Sequence, residues 1–154
     1  MHLYQMMRKT LAGLAMVTAA VVAPIEAARA QALVSIRGEN VNLRAAPTKR
    51  SEVKFLLGSG YPLKVIGRRG SWLHVVDFEN DRGWVARSLT SRKRFSIVKS
   101  PSANVRSGPG TRYRVIEKAS YGDVFQVLDR RQGWVRVKLG KRPAWVARSL
   151  LWGP

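Results

Sequence analysis

The run "WVRVKL" (Trp134 to Leu139) puts Val135, Val137 and Leu139 on one side of an extended chain and Trp134, Arg136 and Lys138 on the other. "DVFQVLDR" just before it divides the same way, with Phe125, Val127 and Asp129 set against Val124, Gln126 and Leu128. Alternation over runs this short predicts half-buried antiparallel strands. "RVIEK" (Arg114 to Lys118) and "AWVA" (Ala144 to Ala147) complete the group, with turn residues between the strands. An earlier stretch repeats it as "EVKFL", "LKVIGR", "WLHVVDF" and "GWVA". After residue 30 no apolar stripe recurs with helical period. The pattern therefore predicts an all-β chain in which each group of strands curls into a tiny barrel. A unit so small buries only about 60% of its unfolded surface, so each is marginal alone and packing of one on the other is favoured.

The two groups are copies of one unit. Asn42, Arg44 and Pro47 align with Asn104, Arg106 and Pro109. At the same offset Gly60, Val65, Trp72 and Val75 fall on Gly122, Val127, Trp134 and Val137. After the loss of one residue, "GWVARSL" (Gly83 to Leu89) meets "AWVARSL" (Ala144 to Leu150). Two copies make tandem domains, because a solenoid needs three or more stacked repeats. Within the copies, "SGPG" (Ser107 to Gly110) predicts a turn that fixes φ at Pro109 and uses the φ freedom of Gly108 and Gly110. The first copy has "AAPT" there, which predicts a less forgiving turn.

The first thirty residues read as an export signal. Arg8 and Lys9 precede the apolar "TLAGLAMVTAAVVA", and "ARA" (Ala28 to Ala30) offers a small-residue cleavage site before Gln31. The apolar run is short for a spanning helix, which needs about 20 residues. Cleavage after Ala30 would leave a periplasmic or secreted chain. The predicted organisation is a signal peptide (1–30), a first domain (31–90), a basic linker (91–94) and a second domain (95–154).

Charge narrows the partners. The chain of 154 residues has 28 basic and 9 acidic side chains, a formal charge of +19. Such a field attracts polyanions. Arg92, Lys93 and Arg94 form a basic patch in the linker. Export argues against nucleic acid and points to wall polymers or an anionic membrane surface. Catalytic chemistry finds little support. With no Cys there is no thiolate nucleophile, no Cys-ligated metal site and no disulfide. His74 is the one imidazole after the leader, and it falls on the Trp72 side of its strand. Asp77, Glu79 and Asp81 share a hairpin loop that reads as a solvated turn. No cofactor and no metal is implied, and the chain reads as non-enzymatic.

"NVRSGPGTRYRVI", a strand with "GWVRV" and then "WVARSLL", with "VNLRAAP", "GSWLHV" and "GWVARSL" before them, resembles the bacterial SH3 domain, SH3b. The resemblance spans residues 33–90 and 95–152. It implies two tandem SH3-like β-barrels in an envelope protein that binds peptidoglycan or its peptides. Ala144 departs from the Gly usual before this Trp, and the first copy lacks the Gly-Pro-Gly turn. In SH3 folds at large, aromatics near the loops and the last strand line a shallow groove. Candidate ligand-binding residues are therefore Trp72, Trp84, Trp134, Trp145 and Tyr61, with Arg136 and Lys138 beside Trp134. Trp84 and Trp145 alternate against Val85 and Val146 and are expected to leave the core. The competing reading is that these rings are lids on a barrel too small to enclose them. Together these readings predict a non-catalytic exported binding module for a cell-wall component. The alternatives are an adaptor that docks on an envelope protein, and a targeting subunit for a separate wall hydrolase.

Overall fold

The computed structural model describes residues 32–153. The export signal read in residues 1–30 lies outside the described residues. The first unit holds β1 (Leu33–Ile36), β2 (Val41–Arg44), β3 (Val53–Leu57), β4 (Pro62–Arg69), β5 (Trp72–Val76), β6 (Arg82–Ala86) and β7 (Thr90–Ser91). The second holds β8 (Phe95–Val98), β9 (Ser102–Arg106), β10 (Val115–Ser120), β11 (Val124–Arg131), β12 (Trp134–Leu139), β13 (Arg142–Ala147) and β14 (Leu151–Trp152). Strand order is β3-β2-β6-β5-β4-β1-β7 in the first sheet and β10-β9-β13-β12-β11-β8-β14 in the second, the same arrangement twice.

Each long strand serves two neighbours. One end of β4 pairs with β1, and the rest pairs with β5. The ladder shifts register between Val65 and Gly67, and at the matching place in β11 between Val127 and Asp129. A bulge bends the strand and raises its twist, which lets so short a sheet curl around a core. Each unit has a core of its own. Leu43, Leu63, Val75 and Val85 anchor the first, and Val105, Val135, Val137 and Val146 the second.

The sequence reading missed β1 and β8, whose apolar residues do not alternate. It also set Ser91 in the linker, whereas Ser91 pairs with Ser35 inside the first sheet. The connector is pinned at both ends. The Ser35 hydroxyl donates to the Lys93 carbonyl at 2.9 Å, and the Val127 amide donates to the Arg94 carbonyl at 2.9 Å. Phe95 lies so close to Gly60 that a Cβ there would sit 2.7 Å from its ring, and Gly60 has φ of +81°. Tyr121 of the second unit donates to a carboxylate oxygen of Glu79, and its ring lies 5.3 Å from that of Phe78. Among the described residues no helix is long and apolar enough to cross a membrane.

The repeated turn holds differently from its sequence reading. Neither Gly108 nor Gly110 has positive φ. The backbone bonds match in the two copies: Thr48 N–H to Ala46 O and Ser51 N–H to Thr48 O, against Gly110 N–H to Gly108 O and Tyr113 N–H to Gly110 O. "AAPT" and "SGPG" therefore make the same turn. Gly108 is there for space, because a Cβ would run into the Tyr113 ring lying over it. The first copy has Ala46 and Ser51 at these places, and the Ser51 hydroxyl bonds the Ala46 backbone instead.

Candidate functional site

The outer face of the central strands is built from register. In the first barrel Trp84 of β6 stands between Arg44 of β2 and His74 of β5. The His74 and Trp84 rings stack at 4.6 Å and 12°. In the second barrel Trp145 stands between Arg106 and Arg136. Each barrel thus carries a tryptophan flanked by basic or imidazole side chains, one strand away on either side. Trp72 and Trp134 lie at the end of the same faces, opposite Ala86 and Ala147.

Both of these outer rings wall a cleft. Trp72 shares one of about 400 Å³ with Arg37, Glu39, Arg44 and Lys49. Trp134 shares one of about 440 Å³ with Pro109, Arg131 and Gln132. Arg136 and Lys138 are exposed on the Trp134 side of β12. The chain has 28 basic side chains and 9 acidic ones, so cations outnumber acids about three to one. An exposed pair does form between Arg131 and Asp129 at 3.9 Å.

Arg44 and Arg106 have a part the sequence reading did not assign. Arg44 Nη1 donates to the Ser51 carbonyl at 2.8 Å. Arg106 Nη1 donates to the carbonyls of Thr111 and Tyr113, each at 2.9 Å. These arginines hold the repeated turn against the cleft-bearing face. Their recurrence in "NLR" and "NVR" was the available signal.

The family model of the bacterial SH3 domain matches residues 39–91 and again 101–151. The chain belongs to the bacterial SH3 domain family. Over 134 residues it is 24% identical to YrvJ of Bacillus subtilis (strain 168), a protein provisionally named as an N-acetylmuramoyl-L-alanine amidase. That match takes in 80% of this chain and 26% of YrvJ, so the chain spans about a quarter of the curated relative's length. Among solved structures it is similar to NlpC2 from Trichomonas vaginalis, with 16% identity and a TM-score of 0.35 over 79% of this chain and 48% of that one. A similar likeness holds to an NlpC/P60 family protein from Bacillus cereus ATCC 10987, with 15% identity and a TM-score of 0.35 over 79% and 56% of the two chains.

The bacterial SH3 fold leaves two of the candidate aromatics in other roles. Trp145 is among the buried apolar residues, at 9% exposed, contrary to the expectation that it leaves the core. Its neighbours in register on both sides are arginines, and long stems at that spacing cover a ring. Tyr61 packs on the first core, and its hydroxyl donates to Asp77 Oδ2 at 3.0 Å. Burial first, then the Asp77 charge and this bond, push its phenol far above the ordinary range. Nor is the acidic loop simply solvated. Asp77 is 6% exposed, and its Oδ1 accepts from the amides of Glu79 and Asp81, each at 2.9 Å. Oxygens of Asp77, Glu79 and Asp81 lie within 4.8 Å of one another. A cation there would displace bonds that already hold the turn, so the arrangement is explained as a turn.

Proposed function

We propose that the protein is exported and non-catalytic, and that its bacterial SH3 domains bind a cell-wall component: peptidoglycan or an anionic envelope polymer. The observation that carries this reading is the repeated outer face, on which a half-buried Trp walls a cleft in each barrel, with Arg37, Arg44 and Lys49 around Trp72 and Arg131 beside Trp134. A polymer presents many equivalent groups, so the second barrel engages intramolecularly once the first has bound. Family membership and the similarity to YrvJ, provisionally named as an N-acetylmuramoyl-L-alanine amidase, support the envelope as the setting. Residues 1–30 supply the export signal, and the mature chain begins at Gln31 in the periplasm or outside the cell.

Catalysis is left out for chemical reasons. The chain has no Cys. One face of His74 is taken by Trp84, and the loop carboxylates are engaged by Tyr61, Tyr121 and backbone amides. A second reading, a targeting subunit or adaptor for a separate wall hydrolase, is favoured by the alignment with a minor part of YrvJ.

Purified sacculi and purified protein test the first reading. Binding is expected without other proteins and should fall as salt rises, because neutralising a polyanion releases its counterions. Changing Arg92, Lys93 and Arg94 together to Gln should flatten the salt dependence. Trp134→Ala should weaken binding at every salt concentration by about 1–3 kcal/mol, by analogy with stacking on nucleic-acid bases. No binding at low salt, or binding unchanged by both variants, would leave the adaptor reading in its place.

A further inference from the structure

A larger cleft lies away from these faces, on the second barrel where it meets the first. It has a volume of about 830 Å³, within the roughly 300–1,000 Å³ of small-molecule sites. Lys64, Lys99, Arg130 and Arg148 line it, and no carboxylate does. Leu33, Val135, Leu151 and Trp152 supply an apolar wall. The Nε of Arg130 is buried and has no hydrogen-bond partner. An unanswered buried donor is costly, so such a group calls for an explanation. Burial, then the charges of Arg148 and Arg94, lower the Arg130 pKa from its ordinary value. The cation therefore stands among like charges, and a bound anion would offset their repulsion.

We propose that this cleft binds an organic phosphate, with its phosphoryl group on Arg130, Arg148 and Lys99 and its body against Trp152 and Leu151. A guanidinium fork matches phosphoryl oxygens in two places at once, and a point charge such as Lys99 adds to it without fixing geometry. Bare phosphate would leave most of the volume and the apolar wall unused. The first barrel cannot make this site, because Ser91 stands where the second has Trp152 and is engaged by the connector. The site goes beyond wall binding and uses neither Trp72 nor Trp134.

Calorimetric titration of the purified protein at low ionic strength tests the proposal, with inorganic phosphate, glucose 6-phosphate and phenyl phosphate as probes. At least one organic phosphate should bind more tightly than inorganic phosphate, and the tighter of the two tells whether the body is a sugar or an apolar group. Arg130→Gln should weaken that binding about tenfold or more, as expected for a lost charged hydrogen bond. Trp152→Ala should reduce the organic phosphate to the affinity of inorganic phosphate. Arg148→Gln serves if Arg130→Gln fails to fold by circular dichroism, and it should weaken binding in the same direction. Trp72→Ala should change nothing here, which separates failure of this site from failure of wall binding. Equal affinity for all three probes, or parent-like binding by a folded arginine variant, would overturn the proposal.

Discussion

Gly83 and Ala144 occupy the same place in the two barrels, and each is matched by a neighbour of compensating size. A Cβ on Gly83 would lie 2.7 Å from Leu43 Cγ and 3.0 Å from the Arg44 carbonyl oxygen. The second barrel carries Ala144 there, and Val105 replaces Leu43. The smaller, β-branched side chain makes room for the extra methyl. Gly83→Ala is therefore expected to destabilise the first barrel by about 1–3 kcal/mol, the range for overpacking a close-fitted core. Leu43→Val should cost stability on its own, yet combined with Gly83→Ala it should recover part of the loss. Urea unfolding of the four chains of that cycle checks it, and strict additivity would show that the two positions are not coupled. From sequence, Ala144 looked like a departure from a family habit. Only the contact with position 105 explains it, because the compensating residues lie on strands distant in the chain.

At the scale of elements, the repeated turn shows one backbone held by two chemistries. In the second barrel the Tyr113 ring lies over Gly108 and Gly110; in the first the Ser51 hydroxyl bonds the Ala46 backbone. Gly108→Ala should push Tyr113 off the turn and destabilise the second barrel by about 1–3 kcal/mol. Adding Tyr113→Ser should restore much of the loss by copying the first barrel's solution. A Gly108→Ala variant as stable as the parent in thermal unfolding would refute the steric account. Arg106 is expected to matter for the same element. Arg106→Gln loses the fork that reaches Thr111 and Tyr113, at about 1 kcal/mol for bonds this exposed.

At the scale of the molecule, the barrels meet through Tyr121, Glu79 and Phe78. The hydrogen bond to Glu79 is the largest cause that pushes the Tyr121 phenol up to about 12, followed by desolvation and the charges of Glu79 and Asp77. A raised phenol pKa means that the folded state favours the neutral, donating form. That contribution is complete below the unfolded value near 10 and is lost as pH rises through about 12. Ultraviolet titration of tyrosinate should show a step near pH 12 that Tyr121→Phe removes. Relative barrel orientation, followed by small-angle scattering, should hold to about pH 10 and loosen above it. A Tyr121 that titrates near 10 would show that the contact does not form in solution.

Alternation, duplication and turn residues in the sequence determined the strands from β3 to β6 and from β10 to β13, because a strand with one buried face writes that face into its own residues. They also determined the two-barrel plan and the polar face of β12. Tertiary structure alone decided the rest. The strands β1 and β8 are invisible to alternation, since Leu33–Ile36 and Phe95–Val98 are recognised by what they pair with. Trp84 and Trp145 have the same phase in sequence, yet Trp145 is closed off between two arginines while Trp84 stacks on His74. Tyr61 looked like a groove residue and is held by a carboxylate sixteen residues away. Arg130 looked like one cation among many until folding buried its Nε beside Arg148 and Trp152. Local periodicity reports which side of a strand is wet, whereas the neighbours across the barrel, far away in the chain, decide what each side chain can do.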